Sequence, residues 1–435
     1  MGKSAHLNGS DFVVGLPNWV CTPICKSSRR KVNELARSTI QGRRVLVTGA
    51  GGSIGSELVK QLSALSPEHI CLVDSCEFNL YQIDLAMRHS GSTASWSAHL
   101  GDVRDLAGMR HLFIRERPDI VFHAAALKHV PLLEEFNVVE AVRTNVLGTK
   151  LILDLCVATD ATFVLISTDK AVNPTSQMGL TKRVAEILVN ETAARYPETR
   201  LSVVRFGNVL GSSGSVVPLF RGQIAAGGPV TVTHVEMTRY LMRIEDAVSL
   251  TLAASSLEQT GCSTYILDMG EQVSIFDLAI EMIQMSGRRP FIDVDIEFVG
   301  VRPGEKLHEE LNYPWEDLKP SSVPGVHVAV SAFDQRPRLR CIHELLAAAD
   351  ARDHAWVRRT LTQAAQEHVP QENHQFVPIA VFNAEHACEL LVRSPKGKIK
   401  AISSLAPKTL SAKVAPRRKP NDAIASPILP SEAEG

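Results

Sequence analysis

Along most of the chain, short runs of apolar and β-branched residues alternate with stretches whose apolar positions recur at helical spacing. The runs are "RRVLVTGA", "HICLVD", "DIVFHAAA", "TFVLIST" and "LSVVRFGNV". Between them lie "SIGSELVKQLSAL", "EFNLYQIDLAMRHS", "VVEAVRTNVLGTKLILDLCVAT" and "KRVAEILVNETAARYP". Nearly continuous apolar strands separated by helices predict a parallel sheet covered on both faces. That is an α/β, doubly wound (Rossmann) fold, whose ligands bind beyond the carboxyl ends of the strands. After about Gly211 the alternation loosens. There "YILDM" and "DVDIEFVG" read as strands, "RIEDAVSLTLAASSLEQ" and "SIFDLAIEMIQMSG" as helices, which suits a smaller α/β substrate-binding domain. "IHELLAAADARDHAWVRRTLTQAAQEH" reads as a helical stretch, a hairpin.

The expected organisation is an N-terminal extension over 1–41 without sustained periodicity and a dinucleotide-binding domain over 42–230. A substrate domain over 231–330, interleaved with it, a helical extension over 331–370 and a low-order tail over 371–435 follow. From Ser394 the tail is rich in Pro, Ser, Lys and Ala and has no aromatic residue, a composition that cannot build a core.

With 435 residues, 45% hydrophobic and 21% charged, the chain has the composition of a soluble globular protein. A formal net charge of -1 offers no general excess of cations for phosphates, so nucleic acid is not an expected partner. The 8 cysteines are scattered, as suits free thiols in a reducing cytosol. Cys21 and Cys25 lack a second Cys/His pair at zinc spacing, and His123 and His129 lack a carboxylate at a matching one; no metal is expected. No apolar run approaches the ~20 residues of a membrane span, and the chain reads as cytoplasmic.

"VTGAGGSIGSEL" places Gly49, Gly52 and Gly55 between a strand and a helix, with Ser53 and Ile54 opening that helix. Glycines there let the backbone approach a pyrophosphate, and the helix N-terminus supplies amides. Asp74 closes the second run, where its carboxylate can accept both hydroxyls of an adenosine ribose and repel a 2′-phosphate. No Arg or Lys follows closely, so NAD+ is expected, with NADP+ the alternative. Asp102 and Val103 end the third strand, placed to bind the adenine amino group and flank the ring; the plainer reading makes Asp102 a helix cap. Ala124 and Ala126 are small enough for a cofactor to lie against the backbone.

"STDKAVNPTSQMGLTKR" (167–183) is laid out like a short-chain dehydrogenase/reductase active site, a hydroxyl residue ending a strand and then Tyr-x-x-x-Lys. Met178 fills the tyrosine slot, and a thioether carries no proton. Lys182 lies one helical turn on, on the same face. Thr168 is followed by Asp169 and Lys170, two ionisable groups where substrate should sit, and a partly desolvated lysine can be pulled toward neutrality to act as a base.

With these segments, "HAAALKHVPLLE", "TNVLGT", "RFGNVLGSSGSVVPLF", "EMTRYLM" and "VRPGEKLHEEL", the chain from Gly42 to Val330 resembles the CapD-type polysaccharide biosynthesis proteins. These are UDP-N-acetylglucosamine 4,6-dehydratases of the extended short-chain dehydrogenase/reductase superfamily. The resemblance implies a UDP-sugar substrate, a homo-oligomer, and Asp169 and Lys170 as acid and base for elimination. It further implies Lys182 on the nicotinamide ribose and Thr168 on the 4-oxygen. Long members of the family also carry methionine in the tyrosine slot, so Met178, expected to line the site, does not mark a dead enzyme. What takes the 4-hydroxyl proton stays open, with Asp169, directly or through water, as one answer. Long members have transmembrane helices and a further domain before this region, and the expectation here is a free-standing soluble portion.

Lys128, Asn208, Arg239 and Arg302 are candidates for the sugar diphosphate, Arg being suited to bidentate phosphate recognition, and Glu305 for ribose hydroxyls. Two other functions fit the same fold. One is a UDP-sugar 4-epimerase, which has no need of the Asp169–Lys170 pair. The other is a silent nucleotide-sugar-binding regulator.

Overall fold

The computed structural model describes Pro17, Val20 and residues 24–257, 261–331 and 341–366, with a separate short ribbon. The ribbon pairs Val392–Arg393 with Ile399–Lys400 and belongs to a second unit; the rest of the 371–435 tail lies outside the described residues.

The first unit is built on a nine-stranded sheet. Its early strands are β1 (Arg44–Thr48), β2 (His69–Asp74), β3 (Trp96–Leu100), β4 (Ile120–His123), β5 (Thr162–Ile166) and β6 (Arg200–Arg205). Then come the short β7 (Asn208–Leu210), β8 (Val230–Val232), β9 (Thr238–Arg239) and β10 (Leu241–Arg243), followed by β11 (Gly261–Leu267). The last are β12 (Val273–Ser274), β13 (Ile296–Phe298), β14 (Glu316–Pro320) and β15 (Val326–Ser331). The sheet runs β14-β15-β11-β6-β5-β4-β1-β2-β3. It is parallel from β3 to β11, and β15 and β14 extend it antiparallel. The central strands β1, β2 and β4 are buried almost throughout, which is why their sequences read as unbroken apolar runs.

The expected 1–41 extension is corrected in part. Lys26–Ile40 is a helix, α1, and Val32, Ala36 and Ile40 enter the main core. Arg29 pairs with Asp246 at 2.6 Å. Apolar positions four apart carry this helix, but the surrounding charges hide the period. Helices α2 (Ser53–Ser63), α3 (Glu77–His89) and α4 (Leu106–Glu116) cross between the early strands. After β4 come α5 (Val130–Glu134) and α6 (Val138–Ala141), which passes through a π-helical segment, Val142–Gly148, into α7 (Thr149–Thr159). Then follow α8 (Gln177–Arg195), α9 (Val216–Ala225), α10 (Ile244–Ala254) and α11 (Ile275–Met285).

The boundary at 230/231 is corrected too. The smaller lobe's core already includes Leu210, Val217, Phe220 and Ile224, packed with Val230, Leu278 and Met282. Meanwhile β11, β14 and β15 return to the main sheet. An apolar pattern reports that a strand is buried, not which sheet it joins. The 331–370 extension does hold a hairpin, α12 (Ile342–Asp350) and α13 (His354–Gln366). Leu345, Val357 and Leu361 pack there against Leu180, Val184 and Ile187 of α8 and against Val142 and Val146. Among the described residues no helix is long and apolar enough to cross a membrane.

Candidate active site

Strand order reverses between β1 and β4, which opens a crevice at their carboxyl ends. Gly49 has φ 66°, and a Cβ on it would stand 2.8 Å from the Cα of Ala125. A Cβ on Gly55 would stand 1.9 Å from the Gly49 carbonyl oxygen. Glycine is therefore obligatory at both positions, because the turn is stacked backbone on backbone. Gly52 caps α2, and Ser53 Oγ accepts from the Ser213 amide at 3.1 Å, tying the turn to the 211–214 loop; Ile54 packs on the core. Ala124 is half-buried against the core and Ala126 is exposed.

Asp74 sits where the sequence placed it. Its carboxylate accepts from the Gly51 and Cys76 amides, each at 2.9 Å, so it fixes the turn while each oxygen retains a lone pair. Asp102 departs from expectation. Arg104 grips it with contacts of 2.6 to 3.0 Å, which holds its carboxyl below the usual range. The acceptors meant for an adenine are taken by a guanidinium. Asp102 is not a cap either, since Asp105 accepts from the Ala107 and Gly108 amides. Val103 is a core residue beneath the π-helical segment, so close to it that a Cβ on Gly148 would stand 2.7 Å from its methyl.

At the end of β5 the chain turns through a 3₁₀ segment, Asp169–Ala171. Asp169 is fully buried; its Oδ1 accepts from the Thr168 hydroxyl at 2.8 Å and from Lys170 Nζ at 3.1 Å. Its Oδ2 is buried without a hydrogen-bond partner, beside Gly207. Lys170 Nζ also donates to Asn208 Oδ1 at 2.9 Å and lies 3.4 Å from Glu309 Oε1. Arg239 Nε reaches the same oxygen at 3.8 Å, while its Nη1 donates to the carbonyls of Thr238 and Leu307. The sequence reading passed over Glu309, three residues beyond the "RPGEK" signal. It is 3% exposed and its Oε2 is also unpartnered.

This cluster overturns one expectation. Burial pulls the Lys170 ammonium toward neutrality, but Asp169 and Glu309 together outweigh burial and the nearby Arg239, and its pKa is raised. Lys170 is a held cation, not a neutral base. Thr168 has its proton committed to Asp169 rather than free for a 4-oxygen.

Met178 is a second correction. It occupies the first turn of α8, but its side chain is buried with Leu133 and Ala141, with Val130 against it. It packs α5 onto α8 and does not line the crevice. Met178→Leu is accordingly expected to retain turnover, measured as product formed per unit time, because that swap nearly conserves volume.

Lys182, one turn on, donates to the Ile166 carbonyl at 2.6 Å and keeps two further N–H donors. Burial, partly opposed by Glu186, lowers its pKa from 10.5 to about 8. Between those values the folded chain binds fewer protons here than the unfolded chain. Stability from this group therefore rises as pH climbs through the window. Denaturant midpoints at either end of the window are expected to differ less in Lys182→Met than in the parent.

Asn145 is a further residue the sequence reading missed. Both ends of its buried amide are used: the Leu127 amide donates to Oδ1 at 2.8 Å, and Nδ2 donates to the Leu127 carbonyl and to Thr181 Oγ1, each at 2.9 Å. It thereby pins the loop after β4 to α8, and the π-helical turn that carries it has no signature in hydrophobic period. Lys128 stands on that loop, its pKa drawn down by desolvation and by the Lys170 charge. Arg302 is exposed, and Glu305 folds back to accept from the Arg302 amide at 3.4 Å. Their loop docks on the start of α8, where Thr175 Oγ1 donates to the Gly304 carbonyl. His123 is buried between Thr48 and Thr149 hydroxyls at 2.8 and 3.1 Å, and burial pushes its pKa down to about 3.

A switch-point crevice with a glycine turn, an acid at the end of β2 and a lysine on α8 gives the chain the fold of the extended short-chain dehydrogenase/reductase class. The chain belongs to the polysaccharide biosynthesis protein family, whose pattern matches residues 45–331. It is 47% identical over 274 residues to the capsular polysaccharide biosynthesis protein CapD of Staphylococcus aureus, covering 62% of this chain and 45% of that one. The probable polysaccharide biosynthesis protein EpsC of Bacillus subtilis is 46% identical over 302 residues, covering 69% of this chain and 50% of EpsC. This chain thus spans about half the length of these two curated relatives. The X-ray structure of Pen from Bacillus thuringiensis matches with TM-score 0.60 at 30% identity, covering 69% of this chain and 91% of that one. The motif resemblance is borne out at the level of family.

Proposed function

We propose that this protein is a nucleotide-sugar 4,6-dehydratase, converting UDP-N-acetylglucosamine to a UDP-4-keto-6-deoxy-N-acetylhexosamine with NAD+ as the bound cofactor. The observation that carries the reading is Lys170, a held cation between two buried carboxylates, Asp169 and Glu309, each with an unpartnered oxygen. Loss of water across the 5- and 6-positions needs one group to take the 5-proton and another to protonate the departing 6-hydroxyl. Bound NAD+ would accept hydride from the 4-carbon as the 4-hydroxyl proton leaves through Asp169 to solvent, which acidifies the 5-hydrogen, and return the hydride to the 6-carbon.

The residues divide the remaining work. Lys170, protonated, gives its proton to the leaving hydroxyl. Asp169 takes the 5-proton, and Glu309 keeps Lys170 charged between turnovers. This order is the reverse of the one the resemblance implies. The glycine turn and α2 amides receive the pyrophosphate, Asp74 the adenosine ribose, and Lys182 the nicotinamide ribose hydroxyls through the donors left after Ile166. Asn208, Arg239 and Lys128 surround Lys170 and face the sugar diphosphate, with Arg302 and Glu305 at the rim. A homo-oligomer goes with this reading.

The test is incubation with UDP-N-acetylglucosamine in deuterated water, followed by mass spectrometry. A product lighter by one water and deuterated at the 5-position is expected. A product of unchanged formula, epimerised at the 4-position, would instead make the protein an epimerase. Bound nicotinamide with no turnover of any UDP-sugar would make it a regulator.

A further inference from the structure

The β2–β3 edge of the sheet carries a polar set that the sugar chemistry does not use. Strand alternation puts His69 and Cys71 on one face of β2, and the register Cys71↔Ser97 and Val73↔His99 puts His99 on the same face of β3. Glu116, the last residue of α4, lies over them with only 7% of its side chain exposed. Its Oε1 is 3.1 Å from His99 Nε2 and its Oε2 3.4 Å from His69 Nε2. The donor atoms of Cys71, His99 and Glu116 all lie within 4.8 Å of one another.

We propose that Cys71, His99 and Glu116, with His69 as fourth ligand, form a structural site for a zinc-class divalent cation, joining the sheet edge to α4. One thiolate, two imidazoles and one carboxylate are the donor types this ion takes, and together they neutralise its charge. Bonds of about 2.0–2.3 Å in a tetrahedron set ligand atoms roughly 3.3–3.7 Å apart. Both histidine–glutamate distances are already near that; His69 stands outside the 4.8 Å group, so closure draws in its ring as well as the Cys71 sulfur. Ser95 Oγ, 2.9 Å from His69 Nδ1, orients that ring from behind. Arg44, 3.4 Å from Glu116 Oε2, and Arg115, 3.3 Å from Oε1, hold the carboxylate in place and also compete with the ion for it. Ser97 Oγ, hydrogen-bonded to Nε2 of both histidines at 2.8 and 3.0 Å, must turn aside. The histidine side chains are 15% and 18% exposed, which leaves an entry from solvent.

On binding, the Cys71 S–H bond breaks, the sulfur keeps the electron pair for the metal and the proton leaves to solvent. Because binding releases the thiol proton, affinity rises with pH. Four protein ligands leave no open position for a substrate, and the ion's effect is on stability. No sequence signature announces the site, because its ligands come from two strands and a helix end.

The full-length, metal-free protein is titrated with Co2+ and followed by absorption. One equivalent is expected to give a thiolate-to-cobalt charge-transfer band with tetrahedral d–d bands, both bleached by Zn2+. Cys71→Ser should remove the charge-transfer band, and His99→Ala should weaken binding by tenfold or more. Zinc should raise the melting temperature of the parent but not of Cys71→Ser, whose fold is verified by circular dichroism in chelator. Absence of the band in the parent, or its survival in Cys71→Ser, overturns the proposal.

Discussion

In deuterated water, Asp169→Asn is expected to lose deuterium incorporation at the 5-position, while Lys170→Met still exchanges that hydrogen slowly but no longer releases water. Turnover should fall by about 10²–10⁴-fold in each, the range typical of a lost general acid or base. The two variants separate because the structure gives the shared proton to Lys170, whose charge Asp169 and Glu309 hold. Asparagine cannot accept the 5-proton, whereas methionine only removes the donor for the 6-hydroxyl. Bound NAD+, followed by its absorbance after denaturation, should remain near the parent level in both, which sets the loss in the chemistry and not in the cofactor. The opposite pattern, exchange lost in Lys170→Met and kept in Asp169→Asn, would restore the assignment that the resemblance implies.

Gly55→Ala is expected to abolish cofactor binding and to destabilise the protein by about 3 kcal/mol or more, the upper end of overpacking costs. The added Cβ would stand 1.9 Å from the Gly49 carbonyl oxygen and 2.7 Å from its carbonyl carbon. Both are backbone atoms of a turn already pressed against Ala125, so no side chain can swing aside. Gly222→Ala on α9 is the control, since nothing lies within 4 Å of a Cβ there. Equal denaturant midpoints for the parent and Gly55→Ala would show that the turn can shift, and the packing argument would fail.

Hydrophobic period made the parallel strands and most helices legible, because strands buried on both faces must be apolar throughout and crossover helices on one side only. It failed at α1, where five basic residues within Lys26–Ile40 mask apolar positions at helical spacing. It failed again at 230/231, because Leu210, Val217, Phe220 and Ile224 already pack into the smaller lobe against residues distant in sequence, and no local pattern records a residue's neighbours. The glycine turn and Asp74 were legible for a different reason. Their roles belong to contiguous backbone, and sequence spacing is close to spatial spacing over one strand, turn and helix.

The catalytic cluster divides along the same line. Sequence by itself determined that Asp169 and Lys170 stand at the carboxyl end of a central strand and that Lys182 follows on a helix. Only the tertiary structure decided their charge states and company. Glu309 arrives from more than a hundred residues away and, with Asp169, outweighs burial at Lys170; and α5 covers Met178. The physical reason is that a side chain's proton affinity depends on desolvation and on charges within a few ångströms. Those distances exist only once distant segments have packed.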